Sequence, residues 1–327
     1  MDGNINTMNR VMVTIVVATY NHEKYIEKAI KSILAQEMDF NYEVLIGEDC
    51  STDNTKTVLK QLASKLPSNF KIYFRDENMG RKGQNNFDDL YSRARGKYII
   101  VLEGDDFWTY NYKLKRQVEF LEEHSEYIAV AHNTKIVDEN DDELNEQYNE
   151  CDKSEYTFDD YRNELLAGQT TTILRRNPRA TQGYRDFRSS VDYPGDQRTN
   201  FVLLCNGKIK CIQEQWSAYR HITSGGTSYS ATHKDDIDYS KRRLVFFREM
   251  VDYTRNTFPN NVKALNCIES IYMYYLLRDI FEKADYGSTL VKWISEFVSV
   301  NNKIDTIHYI RKRILKKLKL RKKYKHE

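Results

Sequence analysis

The chain has 327 residues, of which 40% are hydrophobic and 30% charged, and its formal net charge at pH 7 is +2. This length and apolar content predict a globular protein with one large domain and an appendage, and they exclude a disordered chain. No apolar run reaches the roughly 20 residues of a membrane-spanning helix, and the first run, Val11–Ala18, is too short for a signal peptide, so we expect neither feature.

The first hundred residues alternate between buried-strand and amphipathic-helix patterns. Apolar runs predict strands at Val11–Ala18, Tyr42–Gly47, Phe70–Phe74 and Tyr98–Leu102. The intervening segments predict helices at Tyr25–Gln36, Thr55–Lys65 and Phe87–Arg93. In the first helix, Ile26, Ile30 and Ile33 recur at helical spacing. This alternation is typical of an α/β fold with a mostly parallel sheet covered by helices.

The following residues continue the pattern less regularly. The predicted elements are helix Leu114–Glu123, strand Ile128–His132, strand Thr170–Arg175, helix Thr199–Cys205 and strand Ile209–Trp216. Residues 138–168 are acidic and predict an exposed loop, or alternatively a loop that crosses the mouth of the sheet. After Gly225 and Gly226 the patterns are helical only. We therefore divide the chain into an α/β domain, residues 1–230, and an all-helical C-terminal region, residues 231–327.

Three carboxylates follow the predicted strand Tyr98–Leu102. Glu103, Asp105 and Asp106 lie within four residues, directly after the apolar run Tyr98–Leu102. Carboxylates this close repel one another unless a cation lies among them. Ligands of open α/β sheets bind beyond the carboxyl ends of the strands. The pattern therefore predicts a divalent metal at this edge of the sheet.

Polar loops also follow the first two predicted strands. Ala18 to Glu23 and Glu48 to Asp53 together offer backbone edges, an aromatic ring and carboxylates, which suit a nucleoside. The chain contains neither GxGxxG nor GxxxxGK[ST], which weighs against a dinucleotide fold or a P-loop. Each loop alone fits an ordinary strand-to-helix turn equally well.

These segments together resemble glycosyltransferase family 2, the inverting enzymes of GT-A fold. The resemblance runs from about Val11 to Ser228. It rests on the motifs VTIVVATYN at 13–21, GEDCSTDNT at 47–55, NMG at 78–80, GKYIIVLEGDDFW at 96–108, and GD at 195–196 with NGKI at 206–209. It implies a GT-A (Rossmann-like) domain that uses a nucleotide-diphosphate sugar, as in bacterial surface-polysaccharide enzymes.

The family's nucleotide pocket can be carried over residue by residue. The resemblance implies that Asp49 accepts a hydrogen bond from the base and that Asn78 lies against the base. Glu103 stands where the family usually has Asp, near the ribose or the metal. The implied nucleotide-sugar-binding set is Ala18, Thr19, Tyr20, Asn21, Glu23, Asp49, Asn78, Glu103, Gly104 and Asp105.

The resemblance also implies a metal site and a catalytic base. Asp105 would bind Mn²⁺ or Mg²⁺, with Asp106 beside it and His221 as a second contact; a surface or outer-shell histidine is the alternative for His221. Asp196 would be the general base, against the alternative of a simple helix N-cap. Because a helix N-terminus lowers the pKa of a carboxyl, we expect Asp196 to be ionised at neutral pH.

The C-terminal segment is strongly basic. Ten Lys and Arg residues lie between Arg311 and Lys325, so this tail carries about +9 and residues 1–310 carry about −7. Ile304, Ile307 and Ile310 begin an apolar stripe at helical spacing. The pattern predicts peripheral contact with an anionic membrane, or alternatively a helix packed on its own domain. Nucleic-acid binding is not expected, because stacking aromatics are scarce in the tail.

The combined prediction is a metal-dependent inverting hexosyl- or N-acetylhexosaminyltransferase. By the resemblance it would move a sugar from a nucleotide-diphosphate donor, UDP by family habit, to a glycan or lipid-linked glycan in capsule, O-antigen or other surface glycan synthesis. It would work in the cytoplasm at the inner face of the cell membrane. A noncatalytic nucleotide-sugar- or glycan-binding subunit and a sugar nucleotidyltransferase remain open, as does the oligomeric state.

Overall fold

The computed structural model describes residues 10–80, 83–148, 151–182, 186–222, 237–283 and 287–323. The chain forms two compact units. One comprises Met1–Tyr184 with Gly195–His233, and the other Arg185–Pro194 with Lys234–Glu327. The first unit contains the sheet, and the second is built around helices.

The described residues of the first unit form one nine-stranded sheet. Its strands are β1 (Val13–Thr19), β2 (Tyr42–Glu48), β3 (Phe70–Phe74), β4 (Tyr98–Glu103), β5 (Phe107–Trp108), β6 (Tyr127–Val137), β7 (Glu155–Tyr156), β8 (Leu174–Arg176) and β9 (Lys208–Arg220). They lie in the order β3, β2, β1, β4, β8, β6, β9, β5, and β7 pairs with β9. β1, β2, β3 and β4 are parallel, whereas β8 is antiparallel to β4 and β6. The parallel strands therefore all end at the same edge of the sheet.

Both faces of the sheet are covered. Every residue of β1 is buried, and alternate side chains of a strand point to opposite faces. Ile15 and Val17 belong to one core cluster with Ile30, whereas Val16 belongs to another with Leu90. The helices of this unit are α1 (Ile26–Leu34), α2 (Thr55–Ala63), α3 (Gln84–Arg93), α4 (Lys113–Glu123), α5 (Phe158–Arg162) and α6 (Gly195–Asn206). This architecture confirms the predicted α/β fold class.

Two predicted elements begin four residues away from their predicted starts, and the predicted strands Ile128–His132 and Ile209–Trp216 continue to Val137 and Arg220. The predicted strand Thr170–Arg175 is wrong at its start: Thr170–Thr172 form a 3-10 helix, and only Leu174–Arg176 are a strand. The hydroxyl of Thr172 donates to the Gln169 carbonyl at 2.7 Å, and such local bonds compete with a strand. Helix α6 begins at Gly195, four residues before the predicted start, because its first turn is polar and carries no apolar signal.

The second unit has four described helices: α7 (Ile237–Thr257), α8 (Val262–Lys283), α9 (Ser288–Val298) and α10 (Lys303–Lys323). The Trp293 indole of α9 donates to the Met273 carbonyl of α8 at 3.1 Å, and the Thr306 hydroxyl of α10 lies 3.0 Å from that of Ser270 on α8. Helix α8 is thus the common packing partner of the last two helices. None of the described helices is long and apolar enough to cross a bilayer.

Candidate functional site

The carboxyl end of β1 lies between two neighbouring strand ends. The carbonyl of Ala18 accepts from Gly104 N at 3.1 Å on the β4 side, and the carbonyl of Thr19 accepts from Asp49 N at 3.0 Å on the β2 side. Ala18 and Thr19 are buried, whereas Tyr20 is partly exposed. The predicted nucleotide-sugar-binding residues that follow β1, β2 and β4 therefore meet at one edge of the sheet.

The loops after β1 and β2 are joined by hydrogen bonds. The Oδ1 atom of Asn21 accepts from Thr52 N at 2.8 Å, and the Oε2 atom of Glu23 accepts from Asn54 N at 2.8 Å. Asn21 has a left-handed backbone (φ 59°), which asparagine tolerates better than most residues. Asn21 and Glu23 are predicted nucleotide-pocket residues, but these side-chain oxygens are engaged in holding the two loops together.

Asp49 and Asn78, which the family resemblance places at the base, lie together beyond β2. The Oδ1 atom of Asp49 accepts from Met79 N at 2.8 Å, and its carbonyl accepts from Asn78 Nδ2 at 3.0 Å. Burial raises the pKa of Asp49, and the hydrogen bond from Met79 opposes this shift. The contacts fix the turn after β3 against the end of β2.

Gly104 lies so close to Thr19 and His22 that a side chain at this position has no room. A Cβ atom there would lie 2.7 Å from His22 Nδ1 and 2.8 Å from Thr19 Oγ1. The other ring nitrogen of His22, Nε2, lies 3.7 Å from Asp105 Oδ2. His22 is thus a neighbour of the predicted metal ligand, although its sequence position gave it no role.

Glu103 and Asp106 share one side-chain donor. The Nε2 atom of Gln169 donates to Glu103 Oε2 at 3.0 Å and to Asp106 Oδ2 at 2.9 Å. Gln169 precedes the 3-10 helix and is only 2% exposed. Gln169 has no role in the sequence predictions, because a single glutamine before a run of threonines carries no distinctive pattern.

Asp106, a predicted metal ligand, has protein donors on both carboxylate oxygens. Besides Gln169 on Oδ2, Arg220 N donates to Oδ1 at 2.9 Å. The Arg220 side chain is buried, donates to the Asp105 carbonyl at 2.9 Å and reaches Asp141 Oδ1 in the acidic loop at 2.5 Å. These contacts tie the turn after β4 to the end of β9.

His221, the other predicted metal contact, lies beside an acidic side chain. Its Nδ1 atom is 2.8 Å from Glu146 Oε2, and its backbone N–H donates to the Val137 carbonyl. The glycine-rich segment Gly225–Ser228, for which the sequence suggests a closing loop, lies outside the described residues.

Asp196 lies in the first turn of α6. Its Oδ1 atom accepts from Gln197 N at 2.7 Å, and its carbonyl accepts from Asn200 Nδ2 at 3.0 Å. Burial raises the pKa of Asp196, and the backbone N–H of Gln197 opposes this shift only in part. Desolvation thus outweighs the terminal N–H groups, so the pKa of Asp196 shifts upward and not in the direction expected from the helix N-terminus; that Asp196 is ionised at neutral pH stays a prediction.

The acids after β4 and at the start of α6 act on one another electrostatically. Burial raises the pKa of Glu103 to about 8, and the negative charges of Asp105 and Asp196 add to the shift. Burial likewise raises the pKa of Tyr148, with the charges of Asp196 and Glu103 again contributing. The charge of Asp196 thus affects the pKa of Glu103 although the two residues lie on different elements and far apart in the sequence.

The donor set of this site suits a hard divalent cation. No group of three or more His, Cys, Asp or Glu residues placed to hold a metal occurs in the part of the chain that the structure describes. Mg²⁺ commonly binds one or two protein carboxylates and completes its shell with substrate phosphates. Asp105 and Glu103 offer carboxylate oxygens of this kind after β4, and metal dependence stays a prediction.

Comparisons with known proteins identify related chains. The model of the family "Glycosyl transferase family 2" matches residues 14–180. An uncharacterized protein of Mycobacterium tuberculosis (strain H37Rv) is 30% identical over 212 residues, which cover 65% of this chain and 59% of that protein. The chain thus spans less than two thirds of the length of this relative. The putative teichuronic acid biosynthesis glycosyltransferase TuaG of Bacillus subtilis is 34% identical over 114 residues, which cover 35% of this chain and 43% of TuaG.

A solved structure shares the fold. The crystal structure of residues 1–349 of Staphylococcus aureus TarS in complex with UDP-GlcNAc matches with a TM-score of 0.61 and 18% identity, over 93% of this chain and 83% of that fragment. At this identity the match concerns the fold alone. It agrees with the GT-A fold predicted from the motifs.

Proposed function

The chain belongs to glycosyltransferase family 2, and we propose that it transfers a sugar, with inversion, from a nucleotide-diphosphate donor to a hydroxyl group of a glycan acceptor. The observation that carries the proposal is the meeting of the loops after β1, β2 and β4 at one edge of the sheet, where the charge of Asp196 also raises the pKa of Glu103. A base and a cation site beside each other are what such a transfer requires.

We assign the nucleotide to the loops after β1, β2 and β3. Asp49 and Asn78 lie together there, and the end of β1 adds Ala18, Thr19 and Tyr20. The TarS structure contains UDP-GlcNAc, which supports UDP as the first nucleotide to test. Asn21 and Glu23 would shape this pocket through the hydrogen bonds that join its two loops.

Asp105, together with Glu103, would hold a Mn²⁺ or Mg²⁺ ion. When bound, the ion would stabilise the negative charge that develops on the leaving diphosphate. His22, at 3.7 Å from Asp105, would help to orient the Asp105 carboxylate. Asp106 would act indirectly, because its oxygens bind Gln169 and Arg220. His221 remains a second candidate ligand.

Asp196 would serve as the general base. The acceptor oxygen forms a bond to the anomeric carbon while the bond from that carbon to the diphosphate oxygen breaks. The acceptor proton passes to the Asp196 carboxylate, and the nucleoside diphosphate leaves with the bonding electron pair. The hydrogen bond from Gln197 orients one Asp196 oxygen, and the raised pKa makes the carboxylate a better proton acceptor.

The C-terminal helix supports the predicted contact with an anionic membrane. Thr306, Tyr309 and Ile310 are buried, whereas Ile304 and Ile307, on another side of α10, are 71% and 51% exposed. The stripe of exposed apolar residues on that side is Ile304, Ile307, Ile314, Leu315 and Leu318. Helix α10 thus packs through one side and presents a second apolar side with exposed basic neighbours, which is the arrangement of interfacial helices.

Vesicle binding tests this contact. We expect Ile307→Asp with Leu315→Asp to abolish binding to vesicles that contain an anionic lipid, while UDP binding persists. Val262→Asp, at an exposed apolar residue of α8, is the matched control. Equal vesicle binding by the double variant and the control would contradict the membrane proposal. If the contact exists, the enzyme would act at the inner face of the cell membrane, on a lipid-linked or surface glycan.

Product analysis tests the transfer itself. The purified protein with Mn²⁺ is incubated with a panel of UDP-sugars and candidate glycan acceptors, and the released nucleotide is identified. Release of UDP with an inverted linkage supports the proposal. Pyrophosphate release would instead identify a sugar nucleotidyltransferase, and donor binding without any turnover would favour a noncatalytic binding subunit.

A further inference from the structure

We propose that Gln169 is a positioning residue that fixes the Glu103 carboxylate for donor binding, an inference that rests on the proposed function. Gln169 precedes the 3-10 helix Thr170–Thr172, far from the family motifs in the sequence. Its side chain nevertheless contacts two of the three acids after β4.

The orientation of the Gln169 amide is fixed by its oxygen. The Oε1 atom accepts from Thr171 N at 2.7 Å and from Thr171 Oγ1 at 2.5 Å. An amide has one acceptor end and one donor end, so the Nε2 group must face the opposite direction. Its two hydrogens then serve two acceptors, Glu103 Oε2 at 3.0 Å and Asp106 Oδ2 at 2.9 Å.

The segment that carries Gln169 is itself held in the core. The Trp108 indole donates to the Thr171 carbonyl at 3.1 Å, and Gln117 Nε2 donates to the Thr172 carbonyl at 2.8 Å. Thr171 and Thr172 are fully buried. The Gln169 donor therefore stands on a rigid support, as positioning residues of binding sites require.

The two carboxylates that Gln169 contacts differ in burial and in side-chain length. Asp106 is 1% exposed, and its other oxygen accepts from Arg220 N. Glu103 is partly exposed and has a longer side chain. Gln169 therefore joins the two carboxylates through one amide and supplies each of them with an N–H donor.

The test measures the affinity of UDP with Mn²⁺ by calorimetry. Gln169→Met removes the donors at nearly constant side-chain length, and we expect about tenfold weaker binding, the range for partners that orient ligands. Gln36→Met is the control, because Gln36 is also buried and donates to the Tyr110 carbonyl elsewhere. In steady-state assays we expect the donor KM of Gln169→Met to rise more than kcat falls.

A double-mutant cycle separates positioning from general destabilisation. If Gln169 acts through Glu103, then Gln169→Met in a Glu103→Ala background changes UDP affinity less than twofold, because no carboxylate is left to position. Wild-type affinity in Gln169→Met, or an equal loss in both backgrounds, would overturn the proposal. A wild-type protein that binds neither UDP nor Mn²⁺ would instead overturn the proposed function and this inference with it.

A second variant covers the case in which Gln169→Met does not fold. Gln169→Glu retains an acceptor for Thr171 and loses only the donors towards Glu103 and Asp106. We expect weaker UDP binding, restored in part by adding Glu103→Gln, which returns an N–H donor to the contact. Wild-type affinity in Gln169→Glu, or no recovery in the double variant, would refute the positioning role.

Discussion

Asp196→Asn is the most direct test of the proposed chemistry. The Asn side chain keeps an oxygen that can accept from Gln197 N, and the bond from Asn200 to the backbone carbonyl is untouched. We therefore expect the fold and the UDP affinity to be retained. The amide cannot accept the acceptor proton, so turnover should fall about 10²-fold or more, the scale of lost general-base catalysis.

A hundredfold loss of turnover corresponds to an increase of about 2.7 kcal/mol in the activation free energy. The assay is UDP release under saturating donor, with UDP affinity measured separately by calorimetry. Asp159→Asn is the control, because Asp159 is an 84% exposed carboxylate on α5 of the same unit. Near-normal turnover in Asp196→Asn, with unaltered UDP affinity, would remove Asp196 from the mechanism.

The pH dependence of the same variant gives a second readout. A base must be deprotonated, so wild-type kcat falls as pH falls through the Asp196 pKa. Because burial raises this pKa, the fall should begin at a higher pH than for an exposed aspartate. The residual turnover of Asp196→Asn should lack this acidic limb, and persistence of the limb at the same pH would assign it to another group.

Three further substitutions test the structure around the site. Asp105→Ala should weaken Mn²⁺-dependent UDP binding by at least about tenfold, and an unchanged Mn²⁺ dependence in calorimetry would reject the ligand assignment. Gly104→Ala should lower the free energy of unfolding in urea by about 1–3 kcal/mol, because the new Cβ would lie 2.7 Å from His22 Nδ1. Arg220→Met should destabilise by about 1–3 kcal/mol, because it leaves the Asp105 and Asp138 carbonyls without the Arg220 donor, whereas Asp141 keeps its ion pair with Lys28; urea curves that match the wild type would contradict this.

The sequence predicts the sheet well because its signals are local. The fully buried strand β1 and the helix with Ile26, Ile30 and Ile33 both follow from apolar spacing. Thr170–Thr172 are an exception. Three β-branched residues favour a strand by propensity, but side-chain hydrogen bonds to Gln169 produce a 3-10 helix instead.

The site is predictable only where its residues belong to a strand end. Glu103 and Asp105 follow an apolar run, so their location at the sheet edge follows from the pattern. Gln169 and Arg220 reach the same place from distant segments, and nothing in their local sequence indicates the contact. The direction of the Asp196 pKa likewise depends on burial, which tertiary packing determines and helix position does not.

The glutamate at position 103 and the glutamine at position 169 are best understood together. A glutamate is one methylene longer than the aspartate that the family resemblance leads one to expect, so its carboxylate is less restricted by its own backbone. In this structure the Glu103 carboxylate accepts a hydrogen bond from the Gln169 amide, which also donates to Asp106. If Glu103 and Gln169 form one unit, Glu103→Asp should weaken UDP binding because the shortened carboxylate no longer reaches the amide. The same Glu103→Asp change in a Gln169→Met background should then have little further effect, and an undiminished effect there would show that Glu103 acts independently of Gln169.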